Sequence, residues 1–440
     1  MQTQNDKLSL INGRIHTPTS TASNITLEHG RIVSIDAEPG AVDGKVIDLH
    51  GRTVLPGFCD TSFDFLGWAE SQERLNISSI SSPKSLAVAL ASYSKANPEP
   101  LRGWYIAYGL PPSVIITHED IDAAIPSRPC AVIDSGFTHA VLNTPAMSEF
   151  NMPQDNVELD EFTKHLPELT RYDVLYLVKT YAPKVSALGI TEVWSDFYGQ
   201  HGELWDIFAS DAYDLLSFRM RCNFGFSDVF GMNEFLASGL RTGDGLPFCR
   251  VGGFLVNDYL KQEDQKNMIT SAHLSGCQVI GSGTQYCLNA LERVIKRFRK
   301  APRHLIKSND FGSKLFDRMR ILGLGGIAST HIESPVLHEA FLNGLVISAC
   351  SEDGTITPMK SICSMVSGGL SVAEALSIYT WSAAWNGSSD IRRGELSLGN
   401  DADIVVLEKD PYLVKPEEIA GIDVTMTICA GKIVYDSGTL

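Results

Sequence analysis

The sequence predicts an α/β fold: a (β/α)8 TIM-like barrel with a small β-sandwich domain formed by both chain termini. Three observations carry this prediction. Short strand-like runs with tight turns occupy both ends of the chain. The stretch between them alternates strand and helix signals. A length of 440 residues suits a barrel plus one small extra domain.

At the N-terminal end, Leu8–Ile15 contains Asn12-Gly13. Ile25–Leu27 and Arg31–Ile35 flank His29-Gly30, and Lys45–Leu49 and Thr53–Leu55 flank His50-Gly51. Pairs of this kind supply the backbone freedom of two-residue hairpin turns, so three hairpins are expected. At the other end, Asp403–Leu407 is an apolar run, and Val424–Cys429 and Lys432–Tyr435 flank Ala430-Gly431. Neither end has enough strands to stand alone. Residues 1–56 and 397–440 are therefore expected to close one composite β-sandwich domain around a barrel of residues 57–396.

In that middle stretch, Cys130–Ile133, Ile190–Trp194, Val251–Val256, Cys277–Ile280, Gly326–Thr330 and Val346–Cys350 read as strands. Asp173–Ser186, Asn289–Phe298 and Val372–Tyr379 have the apolar spacing of helices. Repeated strand–helix units favour a parallel barrel over a doubly wound sheet. No Gly-x-Gly-x-x-Gly follows an early strand, which argues against a dinucleotide site.

The net charge of −16 opposes nucleic acid or an anionic membrane as partner, since both reward a basic surface. A small-molecule substrate or ligand is expected, with a homodimer as the default assembly. The nine cysteines are scattered singly, most in apolar runs, and read as buried reduced thiols. Met1–Leu8 is polar, unlike a signal peptide, and no apolar run approaches ~20 residues. A cytoplasmic protein is the expectation.

Val54-Leu55-Pro56-Gly57-Phe58-Cys59-Asp60 resembles the segment that opens the barrel in the amidohydrolase superfamily. Arg393-Gly394-Glu395-Leu396-Ser397-Leu398-Gly399-Asn400-Asp401-Ala402-Asp403, running on to Leu407, resembles its closing segment. Three interior pieces, Trp104–Gly109, Ala187–Val193 and Glu374–Thr380, are similar to the branch that holds N-substituted formamide deformylases and lies near the D-aminoacylases. The resemblance implies hydrolysis of non-peptide carbon–nitrogen bonds in a small molecule. It also implies one or two divalent metals such as zinc, which activate water by roughly 12 kcal/mol through its lowered pKa.

The positions that hold this metal in the family are altered here. Ser62-Phe63-Asp64 stands where the family has His-x-His, and Phe254, four residues before Asp258, stands for the bridging lysine. Ser282, six residues after Gly276, and Ser308, which ends Arg303-His304-Leu305-Ile306-Lys307-Ser308, take two further histidine positions. Ser351-Glu352-Asp353 keeps an acid at the last strand. Serine hydroxyls are poor zinc ligands. No metal site and no cofactor are therefore expected, with an acid–base reaction on an activated substrate as the metal-free chemistry.

Asp353, Glu352 and Asp64 are the expected catalytic acids, since a carboxylate in a closed pocket can be tuned to take a proton. Ser62, His139, Asp258, Ser282, Ser308 and His331 are the expected substrate contacts. His304 is expected to pack structurally. The competing reading is an inactive relative that kept the barrel as a ligand-binding or regulatory scaffold; a mouth plugged by Phe254 would favour it.

Overall fold

The apolar runs between helices become eight parallel strands in the computed structural model, which describes residues 7–36, 44–198, 201–298, 302–308, 311–329, 334–351 and 357–439. We number them β1 (Phe58–Asp60), β2 (Ile190–Tyr198), β3 (Arg219–Gly225), β4 (Cys249–Val256), β5 (Val279–Ser282), β6 (Leu305–Ser308), β7 (Gly325–Ser329) and β8 (Ile347–Cys350). They neighbour one another in that order. The sheet curls until its ends meet: the Thr61 amide and hydroxyl both donate to the Ala349 carbonyl, at 3.0 and 2.7 Å. The result is a nearly closed eight-stranded parallel barrel.

Side chains alternate across a strand, so each strand places every second residue inside the barrel. Cys59, Trp194, Leu255, Ile280, Leu305, Ile327 and Cys350, from seven of the strands, form one buried cluster with Ala383. This layer is the barrel's internal core. The helices outside follow the 3.6-residue period. Gln285–Arg297, for example, buries Cys287, Leu288, Ala290, Leu291 and Val294 on one face, and its Thr284 cap accepts from the Cys287 amide.

The two chain ends form two further sheets. One has the order Arg31–Ile35, Ile25–Glu28, Leu8–Ile11, Lys45–Asp48. The other runs Lys432–Asp436, Val424–Cys429, Ile404–Leu407, Thr53–Pro56, Arg14–His16, Thr21–Ala22. Ile404–Leu407 pairs antiparallel with Thr53–Pro56, so the chain ends meet in one ladder. Leu10, Ile25, Val54, Ile404, Met426 and Ile428 share one buried apolar cluster.

The expected turns fare unequally. His29-Gly30, with φ of 49° and 75°, joins two strands that pair directly, and so does Ala430-Gly431. Asn12-Gly13 and His50-Gly51 do not make hairpins, because the strands on either side of each lie in different sheets. Burial decided the partner: Leu8–Ile11 pairs parallel with Lys45–Asp48, while Arg14–His16 pairs with Thr53–Pro56. The turn residues set only the local backbone.

Residues 66–178 form a separate compact unit, and the sequence reading did not anticipate it. Its five-stranded sheet has the order Asn156–Glu158, His139–Leu142, Cys130–Asp134, Tyr105–Leu110, Leu75–Asn76. Cys130–Ile133 is thus a strand, but it belongs to this sheet and not to the barrel. Both faces of the sheet are covered. Tyr105, Ala107, Cys130 and Val132 pack with Leu86 and Leu90 of helix Pro83–Ala96. The alternate residues Ile106, Ala131 and Ile133 pack with Ala146 and Phe162. A strand apolar on both faces reads as a continuous hydrophobic run, so its sequence resembles that of a barrel strand.

Candidate active site

The internal core layer fixes where chemistry can sit. Two residues further along each strand, the same face reaches the C-terminal mouth of the barrel, where barrel active sites are built. From Trp194 this step leads to Asp196, from Ile280 to Ser282, and from Leu305 to Lys307. Lys307 Nζ lies 2.7 Å from Ser62 Oγ and 3.4 Å from Asp196 Oδ2. Ser62 Oγ donates to the same carboxylate oxygen at 3.1 Å. Asn223 of β3 donates to the other oxygen at 2.9 Å and accepts from the Gly253 amide at 2.8 Å. Five strands or strand ends therefore hold one serine, one carboxylate and one ammonium together. Asp196 is 13% exposed and Lys307 28%, so both can meet a ligand.

Below them, Asp60 is fully buried. Ser351 Oγ donates to it at 2.5 Å, and the Ser62 and Ser351 amides do so at 3.2 Å. This carboxyl ties the end of β1 to the end of β8. Burial pushes its pKa up to about 6, against the hydrogen bonds from Ser351 and Ser62 and the Lys307 charge. A carboxyl with a higher pKa folded than unfolded favours the fold in its protonated form. That contribution is complete below the unfolded value of 3.8 and is lost as pH rises through about 6. Wild type is therefore expected to lose stability relative to Asp60→Asn between about pH 4 and pH 7, by on the order of 3 kcal/mol. Urea unfolding of both proteins across that range checks this, and a constant difference would refute it.

A rim of aromatic and amide groups stands beside the mouth. Asn257 Nδ2 donates to the Tyr198 hydroxyl at 3.3 Å and to the Tyr259 hydroxyl at 3.0 Å. The Tyr198 ring lies over Gly225, where a Cβ would come within 2.2 Å of it, so a side chain there would displace the ring. Ser282, Thr284 and Asp258 form a second polar group: Ser282 donates to Asp258 and lies 3.0 Å from the Thr284 hydroxyl.

The residues expected from sequence divide accordingly. Ser62 joins the central network, and Asp258 and Ser282 come together beside it. Asp64 is exposed, one position past the buried Phe63. Ser308 is half-buried, close to Gly283. Phe254 does not plug the mouth. It is fully buried and packs on Phe226 and on Phe235 of helix Val229–Ala237, at centroid distances of 5.7 and 5.8 Å. Counting back four residues from Asp258 lands on the outer face of β4, whose inward residues are Gly253 and Leu255. His139 lies exposed in the 66–178 unit, its ring 2.9 Å from the Thr138 hydroxyl, and so belongs to a different unit from the mouth residues. Glu352, Asp353 and His331 lie outside the described residues. His304 is structural: it bonds His273 at 2.9 Å and accepts from the Val279 amide at 3.0 Å, and burial pushes its pKa down to about 3. Sequence reasoning missed Asp60, Asp196, Asn223 and Lys307. The strand period would have found Asp196 and Lys307, each two residues after a core position.

Cavity size does not locate this site. A cavity of 530 Å³ lies elsewhere, between residues such as Arg52, Leu188, Met359, Ile422 and Tyr435, and it gathers none of the mouth residues.

Comparison with known proteins places the fold. Residues 345–435 match the amidohydrolase family. YtcJ of Bacillus subtilis (strain 168), which carries the name of an amidohydrolase, is 20% identical over 90% of this chain and 92% of its own length. The chain is thus similar to amidohydrolases, by a family match near its C-terminal end and by a relative aligned along most of its length. The exoenzymes regulatory protein AepA of Pectobacterium carotovorum is 28% identical over 31% of the chain, a match that spans 33% of AepA. Among solved structures, an uncharacterized metal-dependent hydrolase from Pyrococcus furiosus superposes with a TM-score of 0.77 at 17% identity, covering 92% of this chain and 100% of that one. The atrazine chlorohydrolase TrzN of Arthrobacter aurescens TC1, complexed with zinc, gives 0.60 at 11% identity, covering 98% and 95%.

These relatives correct one expectation. The sequence reading expected no cofactor, but the structures this chain resembles include a metal-dependent hydrolase and a zinc complex, and a metal cofactor is expected for the family they represent. The described residues do not fit the family cage. Among them no three of His, Cys, Asp and Glu converge as metal ligands, and the Lys307 ammonium stands between Ser62 and Asp196.

Proposed function

We propose that this protein is an amidohydrolase that hydrolyses a non-peptide carbon–nitrogen bond of a small molecule at the C-terminal mouth of its barrel. The observation that carries the reading is the Ser62–Asp196–Lys307 network, with a carboxylate and an ammonium part-exposed side by side. Amide hydrolysis builds negative charge on the carbonyl oxygen and takes a proton from water. Fixed donors aimed at that oxygen stabilise the transition state, and Lys307 with the Ser62 hydroxyl supplies such donors. Asp196 accepts the proton, or one of Glu352 and Asp353, which follow Ser351 in sequence, does so. Asp60 is a positioning residue that holds the β1 and β8 ends in register. Asn257, Tyr198 and Tyr259 offer the substrate an amide and two aromatic faces.

The resemblance to formamide deformylases and D-aminoacylases selects the substrates to try. We read the protein as cytoplasmic, in keeping with nine free cysteines, eight of them buried. Among the described residues, no helix is long and apolar enough to cross a membrane. We also read the two terminal sheets as one composite β-sandwich domain, supported by their shared apolar cluster, and a homodimer as the assembly.

Purified protein supplied with divalent metal should free an amino group, by amine release or ring opening, from at least one of three classes: N-formyl amines, N-acyl amino acids or lactams. Asp196→Asn should lower that rate by about 10²-fold or more. Absence of a freed amino group from every class, or equal rates in the variant, would remove the proposal.

A further inference from the structure

The opposite, N-terminal end of the barrel carries a charge pattern that the active site does not use. Arg219 begins β3, Arg250 is the second residue of β4, and Arg392 and Arg393 precede the terminal strands. With Arg31 and Lys432 they line a cleft of 520 Å³, in which Asp401 is the one carboxylate lining residue described. An adjoining cleft of 240 Å³ shares four of these arginines and adds Glu192. Six cations gathered on a chain of net charge −16 are not an average surface.

The acids nearby are already engaged. Glu192 holds Arg393 at 2.7 Å. Asp401 holds Arg392 at 2.7 Å and Arg393 at 3.0 Å. Asp403 takes two bonds from Arg219, at 2.8 and 3.0 Å, and one from the Ala430 amide. The Arg250 side chain has no such acid: among the described residues it makes no ion pair and no hydrogen bond, and its Nε is buried without a partner. The charges pressing on it are Arg393, Arg219 and Arg392, with Glu192 a weaker offset. A half-buried guanidinium among like charges and without an acceptor is costly unless something else supplies the anion.

We propose that this cleft is an anion site for a phosphate group, either inorganic phosphate or the phosphomonoester of a small metabolite, bound by Arg250 with Arg392. The planar guanidinium fork matches a phosphate's oxygens, and the dianion answers the uncompensated charge. The wider cleft has room for more than the phosphate itself, which favours an ester. The site lies at the far end of the barrel from the mouth, so it stands independently of the hydrolytic reading.

Thermal unfolding of the full chain tests it, with sodium phosphate and glucose 6-phosphate as probes and sodium chloride at matched ionic strength as control. Both probes should raise the Tm saturably, as expected of ligands that bind only the folded state, and chloride should not. Arg250→Gln should weaken the response about tenfold or more, the loss of charge-assisted bonds. In phosphate-free buffer the same variant should unfold at a higher temperature than wild type, because a like-charge repulsion is gone. Tighter binding of the ester assigns the site to a metabolite, and equal binding assigns it to free phosphate; both support the proposal. It is overturned if neither probe gives a saturable response, if Arg250→Gln responds like wild type, or if that variant is less stable without phosphate.

Discussion

Lys307→Met is expected to lower kcat by about 10²–10³-fold once a turned-over substrate is in hand, with the smaller change in KM. The ammonium sits 2.7 Å from Ser62 Oγ at the level where the barrel interior opens to its mouth. A charge there acts on the transition state more than on a neutral amide substrate, because the oxyanion exists only after attack. The methionine variant keeps the apolar stem and loses the ammonium, with its charge and its bonds to Ser62 and Asp196. Lys307→Arg keeps the charge in a different shape and should recover part of the rate. Steady-state kinetics on the three proteins, with unfolding curves to show that each is folded, decides the point. A loss confined to KM would make Lys307 a binding residue, and an unchanged kcat would exclude it from the chemistry.

Arg219→Ala should cost about 3–5 kcal/mol of stability, the largest loss expected from any single exchange discussed above. Arg219 and Asp403 are 5% and 9% exposed and share two parallel hydrogen bonds. The third arm of the guanidinium reaches the Pro247 carbonyl at 2.9 Å. Arg219 begins β3, and Asp403 directly precedes the terminal strand Ile404–Leu407, so the pair joins the barrel floor to the sheet made by the chain ends. Removing the cation leaves Asp401 and Asp403 buried side by side, with Arg393 as the remaining close cation for Asp403. Arg219→Lys restores charge without the fork and should recover less than half of the loss. Urea midpoints of the three proteins measure it. A loss below about 1 kcal/mol for Arg219→Ala would show that the pair is a surface-type contact.

The fold was legible because its signals are periodic and local. The runs at Ile190, Val251, Gly326 and Val346 became barrel strands, and Val372–Tyr379 became the predicted helix. The 66–178 unit was not legible, because a doubly covered strand such as Cys130–Asp134 has the same apolar composition as a barrel strand. The site was legible only by its end positions. The motif offsets that follow strands lead to Ser62, Asp258 and Ser282, which stand in polar groups at strand ends. Phe254 was misread by the same method, since an offset of one residue turns a side chain to the other face of a strand. Lys307 directly precedes Ser308 in the Arg303–Ser308 motif, and its register with the core residue Leu305 points it inward.

The sequence by itself determined the strand and helix runs of the barrel, the short strands at the two chain ends and the residue types at each strand end. These follow from apolar periodicity, turn residues and identity at a position, all written along the chain. Only the tertiary structure decided that Asp196 and Lys307, 111 residues apart, share one oxygen contact with Ser62, and that Arg250 is left without an acid. Such facts depend on which strands become neighbours and on which carboxylates are already engaged. Both are properties of the closed barrel, so no local stretch of sequence carries them.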